Sequence, residues 1–331
     1  QLLKEHYIDK GSPGLHGMIE ARGYTIGDFV QVINDYPKFW KSVRPNTLKA
    51  GSLNAELNAG VEKLAEIYPD LKPAKIYFTI GALRSNGTTI DSLVLIGSEL
   101  AMSDKNTDAS EFPIEYREAR QTYFDSNPID GIVLLNVHEY VHTQQKPMVH
   151  NLLSQCIYEG VAEFVSVKAM GVPSNAPAIA FGKKNLEKVR DKFEKDMFTP
   201  NRLYHWLWGD ADNGFGVRDL GYHVGYELCE RYYDAATDKS AAIQYLVDLD
   251  YEDEAEIEKF VDGTKYFTKP LAELWDTFEA TRPKVVSMGP FENGSQDVDP
   301  NLKTISVQFS EALNGVSISS GLGELGREHY P

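Results

Sequence analysis

The stretch IDGIVLLNVHEYVHTQQ, residues 129–145, constrains this chain more than any other. It follows Pro128, ends before Pro147 and reads as a mostly apolar helix. His138 and His142 lie four residues apart in it, with Glu139 directly after the first. A helix turns about 100° per residue, so the two imidazoles share one face, one turn apart. Both can then meet a single metal ion at about 2.0–2.1 Å. Glu139 is rotated to the side, where it can reach a water on that metal; this is why H-E-x-x-H recurs in metalloproteases. The plainer reading, two satisfied helix histidines, conflicts with the setting. Ile132, Val133, Leu134, Leu135, Val137 and Val141 make the helix a buried one. His and Glu there cost several kcal/mol unless paired or metal-bound.

Catalytic zinc needs a third protein ligand and one open position. Glu159, in YEGVAEF on the next apolar helix (151–171), is the candidate. Glu163 follows one turn later on the same face, where a carboxylate can accept the outer N–H of a ligand histidine and fix its tautomer. The alternative spacing, with glycine three and histidine six residues after His142, fails: Gln145 and Met148 stand there. His150 is read as part of the connection between helices.

The preceding 128 residues read as helices followed by a small sheet. Phe29, Val32, Ile33, Tyr36, Phe39 and Trp40 lie near helical spacing, with Pro37 splitting the run into two helices. Residues 53–71 form a third helix with Leu57, Val61, Leu64 and Ile67 on one face. KIYFTIG (75–81) and DSLVLIGSELA (91–101) read as strands around an NGTT turn at 86–89. LVLIG (93–97) is a candidate edge strand for binding an extended peptide, or else an ordinary core strand. Helices are expected at 183–197, 218–234, 239–248, 253–261 and 270–280. GYHVGYELCERYY (221–233) carries Tyr222 and His223 as alternative oxyanion donors, with Gly221 and Gly225 allowing close packing.

The pattern changes after Arg282-Pro283. Turn clusters appear, and Ile305, Val307 and Phe309 alternate with Ser306, Gln308 and Ser310, as in a half-buried strand. The expected class is therefore α+β: residues 1–281 as a metal-binding hydrolase domain and residues 282–331 as a short all-β segment. With 33 basic against 49 acidic residues and a net charge of −16, nucleic acid is not an expected partner. No apolar run of about 18 residues suggests a membrane span. Two cysteines, Cys156 and Cys229, make no disulfide framework and read as buried thiols, with a single bridge as the other option. The opening QLLKEHYIDK lacks an initiator Met, as in a processed or trimmed chain.

HEYVH followed by YEGVAEF resembles the gluzincin metallopeptidases. More closely, residues 1–280, with HEYVH, EGVAE and GYHVGYELCERYY, resemble the predicted Zn-dependent proteases of the DUF2268 and gliding-motility GldB-related type from Bacteroidetes. The tail, NGSQDVDPNLKTISVQFSEAL, resembles bacterial Ig-like modules but is short for a complete one. The resemblance implies a zincin-like fold and an HExxH…E site. Its Zn2+ would be held by His138, His142 and Glu159, with Glu163 behind His138. Glu139 would act as general base on a zinc-bound water, and Tyr222 or His223 as oxyanion donor. It also implies a peptide or protein substrate and an extracellular or periplasmic location, with a lipid anchor upstream. The rival expectation is a surface binding or adhesion protein that retains the zincin scaffold.

Overall fold

The structure, a computed structural model, describes residues 1–313 except 200, 210, 211 and 293. It is α+β and mostly helical, with two small sheets. Two compact units divide after Leu271, one running Gln1–Leu271 and the other beginning at Ala272. The boundary expected from sequence, 281/282, lies at the far end of the helix that starts the second unit.

The first unit opens with helices α1 (Pro13–Arg22), α2 (Ile26–Asp35), α3 (Pro37–Thr47) and α4 (Asn54–Ile67). A reciprocal Thr25–Asp28 capping box starts α2, and Pro37 begins α3, where its missing N–H costs nothing. A three-stranded sheet follows: β1 (Lys75–Thr79), β2 (Gly87–Ile90) and β3 (Leu93–Gly97), in spatial order β1-β3-β2. β1 runs parallel and β2 antiparallel to β3. Two sequence expectations change here. LVLIG is the central strand rather than an edge, which is why Val94, Leu95 and Ile96 are fully buried. The segment taken as a turn contains β2, which is an edge strand. Its Gly-Thr-Thr start has little local strand signal; pairing with the buried β3 decides its conformation.

Beyond the sheet come the short α5 (Ser98–Ala101) and α6 (Ile114–Asp125), then α7 (Ile132–His142) and α8 (Leu152–Met170). The region after them holds α9 (Pro177–Lys184), α10 (Leu186–Asp196), the one-turn α11 (Leu203–Trp206) and α12 (Leu220–Ala235). α13 (Lys239–Asp248) and α14 (Glu254–Thr264) complete it. The second unit carries α15 (Leu271–Ala280) and a two-stranded antiparallel sheet, β4 (Val285–Gly289) with β5 (Ser306–Phe309). The alternating run does form a strand, but Ile305 and Val307 remain 56% and 42% exposed, so among the described residues it has no buried face. Residues 314–331, the rest of the expected module, lie outside the described residues.

Side-chain alternation assigns the two faces of the first sheet. Ile90, Leu93 and Leu95 lie against α1 at Gly17. Val94 and Ile96, with Gly87 paired to Ile96, therefore point the other way, toward α7. The Tyr140 hydroxyl of α7 and the Gln144 amide just past its end also bind the backbone of Ala74 and Lys72, just before β1, which pins the helix to the sheet. On the far side of α7, α8 packs along both α7 and α12. α8 is capped by the Asn151 side chain and closed by Gly171 in the left-handed conformation. Where α8 crosses α12, Gly160 meets Gly225: a β-carbon on Gly160 would lie 2.3 Å from the Gly225 Cα, and one on Gly225 would lie 1.7 Å from the Cys156 carbonyl oxygen. Neither position tolerates a side chain without separating the helices. Cys156 and Cys229, on these same helices, are free and fully buried.

Candidate metal centre

α7 and α8 bring His138, His142 and Glu159 together, and one ligand atom from each forms a cluster able to hold a metal ion. Nε2 of His138 lies 3.2 Å from Nε2 of His142. Oε2 of Glu159 lies 3.4 Å from the first and 3.3 Å from the second. Donors about 2.0–2.1 Å from a tetrahedral zinc are about 3.3–3.4 Å apart along each edge of the tetrahedron. The three atoms thus define one triangular face of such a site, and two imidazoles plus one carboxylate are a donor set that zinc accepts. All three residues are buried.

Behind the ligands, each histidine has a fixed outer nitrogen. Nδ1 of His138 donates to Glu163 Oε2 at 3.0 Å, so the longer Glu side chain reaches the position. The other Glu163 oxygen accepts from the Ser174 hydroxyl. Nδ1 of His142 donates to Gln145 Oε1 at 2.7 Å. The Gln145 amide cannot turn round, because its NH2 donates to the Tyr158 carbonyl at 3.0 Å and to the Tyr251 hydroxyl at 3.1 Å. In the neutral, metal-binding form both Nε2 lone pairs would therefore face the cluster. The Tyr158 ring stacks on His142, centroids 4.5 Å apart and planes at 12°.

Three carboxylates surround two imidazoles, so the site favours positive charge. Burial works against a charged His138, but hydrogen bonds to Glu159 and Glu163 outweigh it and raise its pKa to about 10. Burial would likewise raise Glu159, yet the His142 and His138 imidazoles hold it well below the usual carboxylate range. Glu163 is lowered too, against burial, by its bond to His138. Glu139 behaves differently. Burial pushes it up and the two histidines only partly offset this. It lies against β2, where a β-carbon on Gly87 would fall 2.4 Å from its Oε1.

α12 presents Tyr222 to the cluster, its ring centroid 6.1 Å from that of His138. Burial, and next the Glu159 carboxylate, raise the phenol well above its ordinary pKa, so it stays protonated. Its oxygen accepts from the Trp208 indole at 3.2 Å. His223, one residue on, is turned away toward α9. It is fully buried against Gly182, and neither ring nitrogen has a partner among the described residues. Sequence reasoning passed over Gln145, Tyr158, Ser174, Trp208 and Gly87. Only Gln145, three residues after His142 and just past the end of α7, carried a readable signal.

Residues 125–253 match the model of a family described as predicted Zn-dependent protease (DUF2268). The match covers less than half of the chain but includes α7, α8 and α12 and with them every member of the cluster. It supports the family resemblance and the zinc dependence that its description carries. No curated protein and no solved structure matches the chain. Among the described residues, no helix is long and apolar enough to cross a membrane.

Proposed function

We propose that this protein is a zinc-dependent peptidase of the gluzincin type on a zincin-like fold, with His138, His142 and Glu159 as metal ligands. The observation that carries the reading is the triangle of ligand atoms, 3.2–3.4 Å on a side, with a separate buried carboxylate, Glu139, beside it. A purely structural site would have no use for that additional acid. When bound, zinc supplies Lewis acidity and lowers the pKa of a coordinated water toward about 7.

The chain's own groups do the rest. The Glu139 carboxylate accepts a proton from the attacking water and passes it to the leaving amine nitrogen. The Tyr222 hydroxyl donates to the oxyanion that forms on the former carbonyl. Glu163 and Gln145 keep the imidazoles oriented as Nδ1–H donors. The outer rim of the edge strand β2 is the natural seat for an extended peptide, because Gly87 places that rim directly beside Glu139. Substrates on this reading are peptides or proteins. Supported by the resemblance alone, the same reading includes an extracellular or periplasmic location with a lipid anchor, and an Ig-like segment after residue 281.

The test is hydrolysis of a mixed peptide substrate pool by purified protein, abolished by a chelator, restored by stoichiometric zinc and absent in Glu139→Gln. Zinc-loaded, folded protein that cleaves nothing would favour the adhesion reading instead.

A further inference from the structure

The segment entering α12 is bent so that Trp208 reaches Tyr222. Trp208 has φ +56°, in the left-handed region, where a bulky side chain persists only if its surroundings hold it. They do. The Trp208 N–H donates to Asp219 Oδ1 at 2.7 Å. Arg218 donates to the carbonyls of Trp208, at 3.2 Å, and Gly209, at 3.1 Å. Asp219 is the N-cap residue of α12, a position where a carboxylate ordinarily accepts an N–H of its own helix. Here it makes no such cap bond, and it adopts φ +61° itself. Two strained residues and a displaced cap thus converge on the placement of one indole.

That indole donates from Nε1 to the Tyr222 oxygen at 3.2 Å. Indole N–H is a donor only, so the phenol must be the acceptor. A phenolic proton lies near the ring plane, on one side of the oxygen or the other. With one side taken by the indole, the proton is left to the opposite side, and the ring itself lies beside the cluster, its centroid 6.1 Å from that of His138.

We propose that Trp208 is a positioning residue for Tyr222: its N–H engages one lone pair of the hydroxyl and turns the phenolic proton toward the His138–His142–Glu159 cluster. This rests on Tyr222 being the oxyanion donor of the proposed peptidase. Without the indole the hydroxyl can rotate, and part of the population presents a lone pair to the developing negative charge.

Trp208→Phe keeps an aromatic ring and removes the donor. It should lower kcat on the order of tenfold, the loss of one oriented hydrogen bond, and leave KM within about twofold. In a Tyr222→Phe background the same change should cost nothing further, since it acts through the missing hydroxyl. A second readout needs no turnover. The four tryptophans give four indole N–H resonances in the 15N-labelled full chain, recorded with and without zinc. Tyr222→Phe should move one of them upfield, and Trp208→Phe should delete that same one. Because Tyr222→Phe alone supplies the shift, the test stands even where Trp208→Phe fails to fold. Four unmoved indole resonances, or additive losses in the double variant, would overturn the proposal. Absence of hydrolysis by the wild type would instead remove the peptidase reading and leave the indole shift to decide the contact.

Discussion

Gly87 and Glu139 are in contact such that any side chain at position 87 would occupy the space of the Glu139 carboxylate: a β-carbon there would stand 2.4 Å from Oε1 and 2.8 Å from Cγ. The edge strand and the proposed general base are thus fitted to each other directly. Gly87→Ala should cost about 1–3 kcal/mol of stability through overpacking. It should lower turnover about 100-fold, because a base displaced by about 1 Å loses its alignment. Zinc content, measured by elemental analysis, should not change. An alanine variant with wild-type kinetics would show that Glu139 has room to spare.

Glu139→Gln keeps the shape of the side chain and removes its basicity. Turnover should fall by about 10²- to 10⁴-fold while zinc binding and melting temperature are preserved. Stopped assays on the zinc-loaded variant check this, and retained hydrolysis would move the base elsewhere.

One zinc per chain is expected, lost on His138→Ala, His142→Ala or Glu159→Ala. Glu163→Ala and Gln145→Ala should retain the site but weaken zinc affinity by about 10- to 100-fold, since each frees the outer nitrogen of one imidazole. Competition with a chromophoric chelator measures both. Full zinc content in Glu159→Ala would place the third ligand on another residue.

His223 should make the protein acid-sensitive. Burial, and then the Lys183 charge, depress its pKa to about 4, against about 6.5 in the unfolded chain. The unfolded state therefore binds the proton first. The neutral histidine carries no penalty above about pH 6.5, and stability falls as the pH drops from there toward 4, by up to about 3 kcal/mol. His223→Leu should lose less between pH 7 and pH 4.5 than the wild type in urea unfolding. Parallel losses in the two proteins would show that His223 is not the group responsible.

A chain ending at Thr281 should still fold and bind zinc, because every residue of the cluster lies in the unit that ends at Leu271. Loss of zinc from the truncated protein would show that the two units fold as one.

The His138–His142 half of the cluster was legible because its signal is local: a one-turn spacing inside an apolar helix places two histidines together whatever the rest of the chain does. The approach of Glu159 and Glu163 to the two histidines was legible for the same reason, once α8 was recognised as a second buried helix. β2 was not, since Gly87-Thr88-Thr89 has no apolar alternation and becomes a strand only by pairing with β3. Gln145 stood in plain view but had been weighed only as a failed metal-ligand spacing, whereas its role depends on Tyr158 and Tyr251 closing the other side of its amide. The choice between Tyr222 and His223 was half legible. Helical geometry sets them about 100° apart, but which one faces the cluster depends on how α12 crosses α8, and that is settled by tertiary packing at Gly160 and Gly225.

That crossing also determines which wall of the cleft can yield. Glu159 and Tyr222 project from two helices in backbone contact, so the proposed third ligand and the proposed oxyanion donor belong to a single stiff jaw. The opposing jaw is β2, held on one side only and loaded against Glu139 by a residue with no side chain. On the proposed reading, differences in substrate girth would be taken up on the β2 side, and the α8–α12 side would keep its geometry.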